Sequence, residues 1–288
     1  MATTTAPVSR GVQAGLPAQR GRAGFAGTVR SEFTKLFSVR STYWSLLAMV
    51  VVTIGIGALA SWGAAHQVGQ YANNPSQRAD FLQGFDPTQQ SLVGLILSQL
   101  IISVLGAIVI TSEYSTGMMR TSLTVMPRRG TLLTAKALVF AVVALVTGLV
   151  TMFVSFFLGQ ALMSGQHINA TLGQPNVLRA IIGGALFLAA CGMLAFGLGA
   201  VLRHTAGAIS AAIGLLFVLF IMVNFLPQSW QDHVDKWIPF NAGSQIWATH
   251  AASGPEHVFS AWTGFGVFAG YAVIALIVGL ILFRKRDA

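Results

Sequence analysis

Long apolar runs alternate with short polar breaks along almost the whole chain, and their lengths are the first informative feature. A helix crossing a bilayer needs about 20 mostly apolar residues at 1.5 Å rise each. Six runs reach that length, at 43–62, 91–112, 137–163, 180–202, 205–226 and 261–283, and none contains Lys, Arg, Asp or Glu. The pattern predicts an all-α integral membrane protein with six transmembrane helices. The fourth and fifth runs meet at Arg203 and His204, which favour a tight turn over one long interrupted helix.

The flanks carry weaker patterns. Residues 1–24 are rich in Thr, Ala, Gly, Arg and Pro, with too little apolar surface to fold, and are expected to form a disordered tail ahead of a 25–288 membrane domain. From 25 to 40, Phe25, Val29, Phe33, Leu36 and Phe37 recur at helical spacing, opposite Ser31, Lys35 and Ser38. That is the periodicity of an amphipathic helix lying in the membrane interface, with Glu32 and Arg40 near the edges of its stripe. Because the first run is full length and its basic leader long, it reads as an uncleaved span rather than a signal peptide. Between the fifth and sixth runs, Trp230, Val234, Trp237 and Ile238 suggest two short helices at the other membrane surface.

Composition agrees: 54% of the 288 residues are hydrophobic and 9% charged, with mean hydropathy +0.70, against about 25% charged in soluble domains. A net charge of +9 would suit nucleic acid, but the charges cluster at the ends of apolar runs, so no nucleic-acid partner is expected. Fourteen of the 17 basic residues fall on the side of the N-terminal tail, the loop after the second run, the Arg203 turn and the C-terminus. By the positive-inside rule both termini are expected in the cytoplasm. The single cysteine, Cys191, lies within the fourth run and reads as a small packing residue.

The chain offers little for chemistry of its own. None of its four lysines follows a glycine, so it has no Walker A loop, and its six histidines show no metal-ligand spacing. No cofactor or metal is expected on this chain. The spans hold only mild polar groups. Ser98, Gln99, Ser103 and Asn224 are the candidates for a substrate path, against the plainer alternative of bonding between helices. Glycines in the fourth run and the pair Gly266 and Gly270 in the sixth allow close helix approach, within the chain or between copies.

The interruption after the second run is "EYSTGMMRTSLTVMPRRG", residues 113–130, with one acid and three arginines. Glu113, Gly117 and Arg120 fall at i, i+4 and i+7, one face of a helix that Pro127 would end. Arg128 and Arg129 would then be exposed, Gly130 would permit the turn, and Thr131 would cap the next helix. Such a helix beneath the membrane suits a protein partner.

Three stretches resemble the permease subunits of type-2 ATP-binding cassette exporters: "VRSEFTKLFSVRSTYW", "ITSEYSTGMMRTSLTVMPRRGTLLTAKAL" and "IPFNAG". The resemblance runs from Val29 to the end and looks closest to versions from high-GC Gram-positive bacteria. It implies a bacterial cell-membrane permease working as a pair, normally two identical copies, with separate cytoplasmic ATPase subunits that hold ATP and Mg. It assigns the helix before the first span as a connecting helix and residues 113–126 as a coupling helix. Glu113, Gly117, Arg120, Pro127, Arg128 and Arg129 would then face the ATPase, and Arg203 would add a second contact. A polytopic membrane enzyme, or an antibiotic-sensing or immunity protein without transport, are the readings from other classes.

Overall fold

The computed structural model describes residues 24–118, 129–249 and 259–285; no strand occurs among them. The helix α1 (Phe25–Ser38) precedes six helices long and apolar enough to cross a membrane. These span Arg40–Asn73, Pro87–Ser115, Gly130–Ser164, Val177–Leu202, Thr205–Val223 and Ala261–Lys285, one on each of the six apolar runs. The 1–24 tail falls outside the described residues, apart from Gly24.

Helices outlast the apolar runs because helical hydrogen bonding does not stop where hydropathy falls. The first and third spans, of 34 and 35 residues, reach about 50 Å at 1.5 Å per residue, well beyond a hydrocarbon core of about 30 Å. The apolar runs themselves are free of charge, but the helices extend past them, so Glu113 lies in the second helix and Lys136 in the third. The second span starts where Asp86 accepts hydrogen bonds from the Thr88 and Gln89 amides at 2.8 and 3.1 Å, an acidic N-cap followed by Pro87 at the first helical position. The fourth and fifth spans are separate. Arg203 closes one in the left-handed region (φ 55°) and His204, extended, opens the next by accepting from the Gly207 amide.

The fourth span is the most enclosed and packs against the second, third and sixth. Its glycines make this possible. A Cβ on Gly106 would collide with the Gly192 carbonyl, one on Gly197 would fall 2.8 Å from the Ala275 backbone, and one on Gly199 2.5 Å from Ile110. Without hydrophobic drive between helices in lipid, such close approach supplies the packing that holds spans together. Phe187 packs between Phe240 and Phe268, with ring centroids 6.0 and 5.2 Å away. Arg179 donates to the carbonyls of Gln245, Ile246 and Ala248, pinning the segment between the fifth and sixth spans. Two short helices do form there, Gln228–Val234 and Pro239–Ser244. Trp230 and Trp237 are exposed, whereas Ile238, expected on their face, is buried.

Gly266 and Gly270 have open space where a Cβ would stand, so the two glycine groups differ in role. Gly106→Leu, which must displace backbone, should cost about 1–3 kcal/mol and lower the thermal midpoint of the detergent-purified chain by several degrees. Gly270→Leu should leave that midpoint nearly unchanged.

Candidate functional site

The end of the bundle that carries α1 concentrates the charges that the spans exclude. Helix α1 turns Thr28, Glu32 and Leu36 inward, with Glu32 only 2% exposed. Phe25 and Phe33 face outward instead, and Phe33, Phe37 and Tyr43 form a ladder with centroid separations of 4.7 and 5.6 Å. The apolar stripe read from sequence is thus split. Leu36 seals α1 against the bundle, while the outward phenylalanines are the surface an interfacial helix offers to lipid.

Glu32 is the centre of the packed face, not an imperfection at its edge. Lys136 places Nζ 2.5 Å from Glu32 Oε2 and 2.8 Å from Glu113 Oε1. Lys35 places Nζ 2.8 Å from Glu32 Oε1 and 3.8 Å from Glu113 Oε1. Each lysine reaches both glutamates, so four charges alternate in sign around a closed, neutral ring. Three of the four side chains are at most 7% exposed, and Lys35 is 33% exposed. Burying one such charge alone would cost several kcal/mol, and only a neutral cluster in good geometry offsets that loss. The ring joins α1, the last turn of the second span and the first turns of the third.

Glu113 therefore does not share a helical face with Gly117. The second span's helix ends at Ser115, and Gly117 takes a left-handed conformation (φ 69°) just past it, donating to the Tyr114 carbonyl at 3.4 Å. This is the place where a helix stop selects glycine. The third span's helix begins at Arg129, so Gly130 and Thr131 lie inside it and not in a turn or cap. Glycine at position 130 has another reason: a Cβ there would come 2.5 Å from the Arg284 guanidinium, which rests against it. Arg120, Pro127 and Arg128, with the side chain of Arg129, lie outside the described residues.

Arg203, expected to face a partner, turns inward. Its guanidinium stands over the Tyr114 ring, 5.1 Å from the centroid, and donates to the Leu282 carbonyl at 3.4 Å. The Thr205 hydroxyl donates to Thr111 at 2.9 Å, and Tyr114 meets Phe283 edge-on at 6.4 Å. These contacts tie the fourth–fifth turn to the ends of the second and sixth spans. His204 is what that turn exposes.

The polar residues singled out within the spans are taken up by helix packing. Ser98 bonds to Thr53 and to the Met49 carbonyl (3.3 Å), Gln99 donates to the Ile96 carbonyl (3.0 Å), and Ser103 donates to the carbonyls of Gln99 and Cys191 (2.6 and 3.4 Å). All three are fully buried inside one chain. Ser98 and Ser103 thus bond between helices, while Gln99 bonds back to its own helix. Asn224 is exposed beyond the fifth helix, which ends at Val223, and donates back to the Phe220 carbonyl. Sequence reasoning missed the ring, although Glu32, Glu113 and Lys136 all lie near span ends on the same side. No group of His, Cys, Asp and Glu suited to a metal occurs among the described residues.

Lys136 is the one ring member that approaches both carboxylates within 2.8 Å. Lys136→Met should cost about 3–5 kcal/mol by leaving buried carboxylates face to face, and Lys35→Met, at the exposed corner, markedly less. Adding Glu113→Gln to Lys136→Met should recover part of the loss. Thermal unfolding of the purified variants in detergent measures all three.

No curated protein matches the chain. The family model described as "ABC-2 family transporter protein" matches residues 37–288, from the end of α1 through all six spans. A match over that much of the sequence, on a fold of six membrane helices, places this chain in the ABC-2 transporter family as a multi-pass permease.

Proposed function

We propose that this chain is the membrane subunit of an ATP-driven exporter in a bacterial cell membrane, with its α1 end and both termini in the cytoplasm. Two copies form the substrate path, and separate ATP-binding subunits supply the energy. The ring of Glu32, Lys35, Glu113 and Lys136 carries this reading. It brackets residues 119–128, which join the second and third spans, and ties the helices on either side of that segment to α1.

Few residues separate that segment from the ring on either side. On its N-terminal side the helix stop at Gly117 lies four residues after Glu113; on its C-terminal side the third helix starts at once and reaches Lys136 two turns later. An ATPase that pushes or pulls the segment would move the second and third spans together with α1, as a packed unit with discrete arrangements. The chain's own part is mechanical: it bears load, changes which side its path opens to, and leaves hydrolysis to the partner. Arg120, Pro127, Arg128 and Arg129 are the proposed contact surface. Glu113 and Gly117 support it from behind, and Arg203 holds the neighbouring turn. Within each copy Ser98, Gln99 and Ser103 are already used in packing, so the path is proposed to run along outer faces of the bundle, where Asn224 is exposed.

Replacing Arg128 and Arg129 together by Glu should reduce co-purification with the ATP-binding subunit at least about tenfold, as loss of two interfacial charges predicts. It should also uncouple ATP hydrolysis from the permease while leaving the thermal midpoint of the isolated chain unchanged. Normal assembly and normal coupled hydrolysis in that variant would remove the segment from the coupling role.

A further inference from the structure

Beside the charge ring, α1, the start of the first span and the second and third spans line a cavity of 770 Å³. Its floor is apolar: Leu105, Ile108 and Val109 of the second span, Val139 and Phe140 of the third. Its mouth is polar and charged, with Arg30 and Lys35 on α1 facing Ser112 and Glu113. From Leu105 to Glu113 the second helix rises about 12 Å, so the cavity passes from hydrocarbon-like walls to ionic ones over about that depth. This gradient matches the step from acyl chain through glycerol to headgroup at the edge of a bilayer. Among the described residues of the lining the charged ones are three cations, Arg30, Lys35 and Lys136, against Glu32 and Glu113. The two glutamates are matched within the ring, and Arg30, exposed at the lip, leaves the mouth one positive charge in excess.

We propose that this cavity is a binding site for one anionic diacyl phospholipid drawn from the leaflet at the α1 end, its phosphodiester at Arg30 and Lys35 and an acyl chain over Ile108 and Phe140. Neither a water-soluble anion nor an uncharged lipid matches the whole cavity. A free anion would leave the apolar floor empty, and a zwitterionic lipid would bring a cation of its own to a mouth that already has one in excess. A lipid seated here touches α1, both spans that carry the ring, and the ring itself. It would therefore bias the stiffness of that joint with no contact to nucleotide. The site rests on the membrane assignment and the cavity, and stands whether or not residues 119–128 contact an ATPase.

The test uses the full-length chain, purified and delipidated in detergent, titrated with phosphatidylglycerol or phosphatidylcholine of the same acyl chains and read by native mass spectrometry. One phosphatidylglycerol should bind at least about fivefold more tightly than phosphatidylcholine, the preference one surface cation confers. Arg30→Ala should reduce that preference below about twofold, and Ile108→Trp, which fills the floor, should abolish tight binding of both lipids. Ser112→Phe, at the rim, serves the same purpose should Ile108→Trp lower the thermal midpoint. Millimolar inorganic phosphate should not displace the lipid. Equal binding of the two lipids, or binding untouched by Arg30→Ala and by the filling variants, overturns the site; displacement by inorganic phosphate assigns it to a free anion instead.

Discussion

Four charges that the bilayer would reject singly are held together at one end of this molecule, and the arrangement of that end follows from them. A carboxylate or ammonium placed alone at the border of the hydrocarbon is expensive. Glu32, Glu113 and Lys136 are nevertheless almost completely enclosed, because each lies within 2.8 Å of an opposite charge. The requirement for neutrality fixes where α1 must sit. Its Glu32 has to reach Lys136 on the third span, so the helix is drawn against the bundle along Thr28, Glu32 and Leu36 while Phe25 and Phe33 turn outward. Leu36, with Val29 and Phe37 partly buried beside it, is a small apolar anchor for a helix of 14 residues. Electrostatics sets the register that apolar burial, which is non-directional, leaves open.

Within the membrane the determining constraint is close approach. The fourth span reaches its neighbours through glycines whose missing Cβ atoms leave room for a facing backbone, as Gly106 does for Gly192 and Gly197 for Ala275. Hydroxyls then close the gaps: Ser103 reaches the Cys191 carbonyl and Ser155 the Ser91 carbonyl at 2.6 Å. Both devices suit a medium without water, where a polar group must find its partner in protein and where apolar area between helices gains little over lipid. The charge ring and the glycine contacts divide the work. One locates α1 and the loop ends, and the other locks the spans.

The six spans were legible because run length and lack of charge are set by the solvent, not by tertiary contacts. The Arg203 and His204 break was legible for a similar local reason, since two polar residues interrupt an otherwise continuous run. What escaped sequence reading depended on partners distant along the chain. Glu113 was placed on an outward helical face by counting residues, yet it pairs with Lys136, 23 positions on, and Lys35, 78 positions back. The left-handed Gly117, which breaks that face, signals a helix stop as readily as helix interior when read in one dimension. Arg203 was assigned to a partner contact because the family resemblance implied one; the Tyr114 ring that draws it in lies on another span. The candidate site was thus legible as a location, and its wiring was not.

The same wiring bears on where solute can travel. A path through the middle of a single chain would have to part the fourth span from the second or third, where glycine contacts leave no gap and the hydroxyls are already bonded. The first, fifth and sixth spans are the least enclosed and present long apolar faces outward, Val51, Leu59 and Trp62 on the first and Ile274, Ile277 and Ile281 on the sixth among them. The fifth is also irregular, relaxing into a π-helical turn at Gly214–Val218, and Gly214 has open space beside it. A widened turn in a loosely held helix is cheaper to rearrange than the packed centre, and such turns often mark functional positions. This supports the proposed division in which the second to fourth spans and the charge ring move as one stiff body, while the path opens along peripheral faces that a second copy would complete.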